Sequence, residues 1–202
     1  MSALLTLILS LTPPVITANT ARVILTKLPA SYENGQATAQ AQAIALTDPK
    51  GKVIECESMS IGGTPEASEM LCKALIGSKT KPARGPDGTG SYGLFKLSID
   101  LGPNGSSHHQ SLPFPDDMVL EIAASPPGMT LPFRVAARIF VDADGHVAQC
   151  ETNAEVGARI GAVACEELRA GFHNPRMANG VPVPYIAPAS VAFVLADAEP
   201  AG

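Results

Sequence analysis

Ile139-Phe-Val-Asp-Ala-Asp-Gly-His-Val-Ala-Gln-Cys-Glu151 is the stretch from which the rest of the chain can be read. Leading into it, Phe133, Val135, Ala137, Ile139 and Val141 are apolar at every second position, with Arg134 and Arg138 between them. That is the period of a strand with one face packed and the other toward water. Asp142-Ala-Asp-Gly145 supplies Asp and Gly where a tight turn needs positive φ, and Val147 to Thr152 is extended again. The spacing predicts a β-hairpin.

Working outward, Ile160, Val163, Ala164 and Leu168 recur at helical spacing, with Arg159, Glu166, Glu167 and Arg169 on the other faces. The helix is expected to end near Gly171, because Pro175 cannot continue it and biases Asn174 away from helical angles. Asn179-Gly-Val-Pro182 reads as a second turn, and Ser190 to Leu195 as a closing strand with Val191, Phe193 and Leu195 on one side.

The order strand, turn, strand, helix, turn, strand resembles the TonB C-terminal domain family. The matching positions are Val141, Asp142, Asp144, Gly145, Val147, Leu168, Arg169, Phe172, Pro175, Gly180, Pro182, Val183 and Phe193, within about the last seventy residues. Ala170 and Gly171 stand where that family usually carries an aromatic and a further basic residue. The resemblance implies an α+β fold, a periplasmic setting and a contact with outer-membrane transporters. In that family the contact adds a partner's extended segment to a sheet edge, a mode in which backbone hydrogen bonds give affinity. The closing strands Gly93 to Asp100 and Ser190 to Leu195 are the expected edges, with Val191, Phe193 and Leu195 as the partner-binding residues.

The first half has the same layout. Ala45-Leu-Thr-Asp-Pro-Lys-Gly-Lys-Val-Ile-Glu-Cys-Glu57 lines up with Ile139 to Glu151 at a constant offset of 94 residues. Beyond Thr64-Pro65, a helix cap followed by Pro at the first position, Ala67, Met70, Leu71, Ala74 and Leu75 repeat at helical spacing. Cys72, Leu75, Pro82 and Tyr92 then answer Cys165, Leu168, Pro175 and Tyr185 at an offset of 93. The lead-ins Ala21 to Thr26 and Asp117 to Ile122 both read as a short extra strand. The opening strand carries Ala37, Ala39, Ala41, Ala43 and Ala45 on its packed side, little volume for a core, so this copy is degenerate. An unrelated domain in the first half is the competing reading. The expected fold is thus two tandem small β-β-α-β units, each an antiparallel sheet packed by one helix, over 21–100 and 113–198. A linker over 101–112 joins them, and its His108-His109 pair reads as solvated, with no carboxylate or Cys at ligand spacing nearby.

Four cysteines fall at matching places, Cys56 with Cys72 and Cys150 with Cys165, on the second hairpin strand and in the helix. Four cysteines permit three pairings, and the repeat selects the one within each unit. Each bridge would close a loop of about 15 residues and contribute about 3 kcal/mol in the chain-entropy model. Bridges require an oxidising compartment. Ala3 to Leu11 forms an apolar run stopped by Pro13-Pro14, too short to span a bilayer, and reads as the core of a signal peptide over 1–18 removed near Ala18. A buried N-terminal strand is the competing reading of the same residues. An uncleaved N-terminus would leave the protein tethered to the membrane.

The 202 residues carry a net charge of −5, which argues against nucleic-acid binding. The chain has no nucleophile elbow, no His-Glu-x-x-His and no phosphate or dinucleotide loop. Asp142 and Asp144 lack the remaining ligands of a calcium loop, and Glu57 and Glu151 read as solvated strand positions. The expectation is a non-catalytic, cofactor-free envelope protein acting by protein contact, accessory to TonB-dependent transport. Direct energy transfer to outer-membrane receptors is a less favoured reading, since the chain carries no convincing membrane anchor or long Pro-rich spacer. An enzyme site assembled between the units from His146, His173 or Asp144, and a homodimer through a sheet edge, are readings from other classes.

Overall fold

The computed structural model describes residues 10–27, 39–59, 65–101, 114–153 and 157–196. The His108-His109 pair, Thr64 and the first nine residues lie outside the described residues. The chain is mixed α and β. Among the described residues its helices are α1 (Ala18–Leu25), α2 (Pro65–Leu75) and α3 (Ala158–Ala170). Its strands are β1 (Ala39–Thr47), β2 (Val53–Met59), β3 (Ala83–Arg84), β4 (Gly90–Leu101), β5 (Met118–Ile122), β6 (Phe133–Val141), β7 (Val147–Thr152), β8 (Arg176–Ala178), β9 (Val181–Val183) and β10 (Tyr185–Leu195).

Both hairpins form with the same turn. Asp48 Oδ1 accepts from the amides of Lys50 and Lys52 at 2.8 and 2.9 Å, and Asp142 Oδ1 accepts from those of Asp144 and His146 at 3.0 and 2.9 Å. These are the backbone-mimicking bonds for which Asp is favoured in turns. Gly51 and Gly145 follow at φ 80° and 92°, where a side chain is strained. A Cβ at Gly51 would also meet the Thr80 carbonyl, and one at Gly145 the His173 carbonyl. In each case the approaching residue returns its own amide to the glycine, Thr80 to Gly51 at 2.8 Å and His173 to Gly145 at 3.0 Å. The register slips by one residue at Leu46/Thr47 in the first hairpin and at Phe140/Val141 in the second.

The two hairpins belong to one sheet. Its strand order is β2-β1-β4-β10-β6-β7, with β3 added to β4 and β5 to β10. The halves meet where β4 and β10 run parallel, with Tyr92 opposite Tyr185 and Gly93 opposite Ile186. A separate antiparallel sheet in each half, the sequence expectation, is therefore replaced by a continuous one. The pleat assigns the faces. Ala41, Ala43 and Ala45 share a core with Phe95 and with Ala67, Leu71, Ala74 and Leu75 of α2. Leu46 and Leu94 belong instead to the core of Val135, Ile139, Val191, Phe193 and, from α3, Ala164 and Leu168. The alternation along β1 thus puts α2 and α3 on opposite faces of the sheet.

Two lead-in expectations resolve differently. Residues 118–122 are a strand, but 18–25 are a helix. Thr17 caps it by accepting from the Thr20 amide at 3.1 Å, Thr20 bonds through its hydroxyl to the Lys79 carbonyl, and Ile24, one turn on, is buried in the α2 core. Thr20 and Ile24 lie four apart on one face, a spacing that outweighs the strand-forming run Val23-Ile24. α3 ends at Gly171, as Pro175 requires, and β8 and β9 close over Asn179 at φ 53° and Gly180 at φ 78°, both left-handed as a two-residue hairpin turn demands.

Candidate functional site

β10 is not an edge, and β4 has a strand on both sides only around Tyr92 and Gly93. β10 is paired with β6 from Tyr185 to Phe193, and on its other side with β4 at Tyr185 and Ile186 and with β5 from Val191 to Leu195. β5 is held to it by the Asp117 amide on Ser190 O at 3.0 Å, the Ser190 amide on Asp117 Oδ2 at 2.8 Å and the Ala196 amide on Ile122 O at 3.0 Å. Val191 is fully buried, and Phe193 stacks on Phe133 with centroids 4.8 Å apart. Only Leu195 of the three expected partner-binding residues is exposed, at 59%. β4 is paired along β1 from Thr47 to Ala39, but on its other side it meets β10 only at Tyr92 and Gly93, and no strand among the described residues follows there from Leu94 to Leu101. A parallel strand supplied by the lead-in closes β10, and a lead-in so short carries no sign in its sequence of which strand it will join.

The outer strands of the sheet are β2 and β7. The start of β2 is closed by the following turn, since Val53 donates to Ser78 O and accepts from Gly77, both at 2.9 Å. β7 has no strand beyond it among the described residues, and Ala148 and Gln149 on it are exposed. Of these two outer strands β7 is therefore the more open edge, the kind of surface to which another strand can add.

Each outer strand is tied to its helix. Cys56 of β2 is bonded to Cys72 of α2 with Cα atoms 5.5 Å apart, and Cys150 of β7 to Cys165 of α3 with 5.6 Å; no cysteine is free. These bridges fit an oxidising, extracytoplasmic environment. No helix among the described residues is long and apolar enough to cross a membrane.

A cavity of about 230 Å³ opens where the halves meet. Its polar lining is Lys96, Asp117, His173, Asn174, Arg176 and Tyr185. Lys96 pairs with Asp117 at 2.7 Å, the Tyr185 hydroxyl donates to Asn174 O at 3.1 Å, and Arg176 reaches Glu57 at 3.3 Å. Burial pushes the Tyr185 phenol above its ordinary value, while the Arg176 guanidinium beside it pulls the other way. His173 Nε2 lies 3.2 Å from Leu168 O at the end of α3. His146 packs edge-on against Phe172, centroids 6.1 Å apart, and neither it nor Asp144 lines this cavity. Of His146, His173 and Asp144 only His173 lines this cavity, although its amide bonds to Gly145 between the other two, and no group of three or more His, Cys, Asp or Glu among the described residues could hold a metal.

The two glutamates following the cysteines are engaged. Glu57 meets Arg176, and Glu151 accepts from the amide of Leu11. Comparison with protein-family models, with curated proteins and with solved structures finds no match to this chain.

Proposed function

We propose that this is a non-catalytic protein of the cell envelope, periplasmic in location, with two TonB C-terminal-like units of β-β-α-β order in tandem, acting through protein contact in support of TonB-dependent transport. The tandem reading is supported by paired details 93 or 94 residues apart: the Asp48 and Asp142 turns, the Gly51–Thr80 and Gly145–His173 contacts, the two register slips and the two strand-to-helix disulfides. Opposed helices and parallel β4–β10 pairing are what a two-fold axis along the strands would produce between two like units.

The observation that carries the contact reading is the open β7 edge. A partner's extended segment would add to β7, next to the Cys150–Cys165 bridge that fixes the strand on α3. The accessory role is the reading that the TonB-like order of Val141 to Val183 suggests, and the disulfides are compatible with it. The enzyme reading is less favoured because the junction cavity takes His173 without His146 or Asp144.

The test is quantitative capture of envelope proteins on purified wild type and on the double variant Ala148→Lys, Gln149→Lys. Lysine on an edge strand discourages further pairing. Loss of an outer-membrane transporter from the captured set in the variant, with unchanged melting, supports the proposal. Identical captured sets, or no envelope protein with either form, contradict it.

A further inference from the structure

The segment Ser10 to Thr17, which the sequence places within a removable signal, is built into the fold. Leu11 is fully buried with Ala83 and Ile186, against Phe140. Its amide donates to both Glu151 oxygens at 3.1 and 3.0 Å, and its carbonyl accepts from Arg138 Nη1 at 3.0 Å. Arg138 and Glu151 are opposite one another in the β6–β7 register, so one cross-strand pair grips both sides of a single residue of the segment. The sequence reading of this sheet face as open to water fails here for that reason.

The segment also holds the first half. Thr12 exchanges both main-chain bonds with Arg84 at 3.1 and 2.9 Å, and Val15 both with Lys81 at 3.3 and 2.9 Å. Pro14 is buried over Gly93, the residue at the β4–β10 junction, where a Cβ would run into the proline ring. Thr17 caps α1. A cut after Ala18 would uncover Ile186 and Ala83, strip Arg138 and Glu151 of their partner and remove the cap. Buried apolar and paired polar groups are lost together, the combination that folded proteins tolerate least.

We infer that Leu11 to Thr17 is a permanent strap of the mature protein, clamping the two halves across their junction, and that processing of any leader takes place upstream of Leu11. The strap belongs to the second half by its grip. The position matching Arg138 in the first half is Ile44, whose side chain has no donor to offer a strap.

The direct test is the intact mass and N-terminal sequence of the folded protein isolated from the envelope. A first residue at Leu11 or before it is expected; a first residue at Asn19 or beyond overturns the inference. Arg138→Met, which leaves the leader untouched, gives a second reading by hydrogen exchange on the full chain. The Leu11 and Thr12 amides are expected to be protected in the wild type and to exchange about tenfold faster in the variant. Unprotected amides in the wild type, or equal protection in both forms, would overturn it.

Discussion

Tyr92 and Tyr185 stand directly opposite one another where β4 and β10 run parallel, 93 residues apart in the chain and at matching places in its two halves. This pairing makes one sheet of two hairpins and places β10, one of the two strands that the sequence offers as edges, in the interior. Because like strands join side by side in the same direction, α2 and α3 fall on opposite faces. The outer strands β2 and β7 are then the ones bearing the disulfides.

Removing one bridge loosens the unfolded chain as well as the folded one. The double replacements Cys56→Ala with Cys72→Ala, and Cys150→Ala with Cys165→Ala, are each expected to lower stability by about 3 kcal/mol, the value for loops of this size. Denaturant unfolding of the two variants beside the wild type measures it.

The core under α2 is lined by the small side chains of Ala41, Ala43 and Ala45. Ala43 is fully buried, and Ala43→Leu is expected to cost about 1–3 kcal/mol by overpacking. Leu71→Ala, at a position equally buried, is expected to cost about 2–5 kcal/mol by leaving a cavity. Thermal melts of both variants check the pair.

Gly51 and Gly145 face carbonyl oxygens, whereas Gly180 at φ 78° has nothing within reach of a Cβ. Gly180→Ala is expected to cost about 1 kcal/mol from backbone strain alone. Gly145→Ala adds a clash with the His173 carbonyl and is expected to cost clearly more, with Gly51→Ala behaving alike. Melting temperatures ranked otherwise would contradict the shared turn geometry.

Burial raises the Tyr185 phenol. A raised folded value means that the folded state holds its proton more tightly than the unfolded one, so stability is intact below the ordinary tyrosine value near 10 and falls as pH rises through the folded value. Absorbance titration is expected to show Tyr185 ionising above the ordinary value, and Tyr185→Phe is expected to remove that late step and flatten the alkaline loss of stability.

Local structure was legible where one residue type has one use. Asp142 and Gly145 announced the turn, Pro175 the end of α3, and the spacing of Cys56, Cys72, Cys150 and Cys165 both bridges. Which strands become neighbours was not legible, because alternation along Ser190 to Leu195 describes a buried face and says nothing of what lies beside the strand. Residues Val23 and Ile24 suit strand and helix alike, and only the Thr17 cap with Thr20 and Ile24 four apart marked α1. The role of Leu11 was hidden for a different reason: an apolar run reads the same whether a membrane, a peptidase or Ile186 receives it.

The proposed partner contact lies on β7 and not on β10. Photo-crosslinking in intact cells, with the reactive side chain placed at Ala148 or at the exposed Leu195, measures this directly. An adduct with an envelope protein from position 148 and none from position 195 is predicted. An adduct from 195 alone, or none from 148, would contradict it.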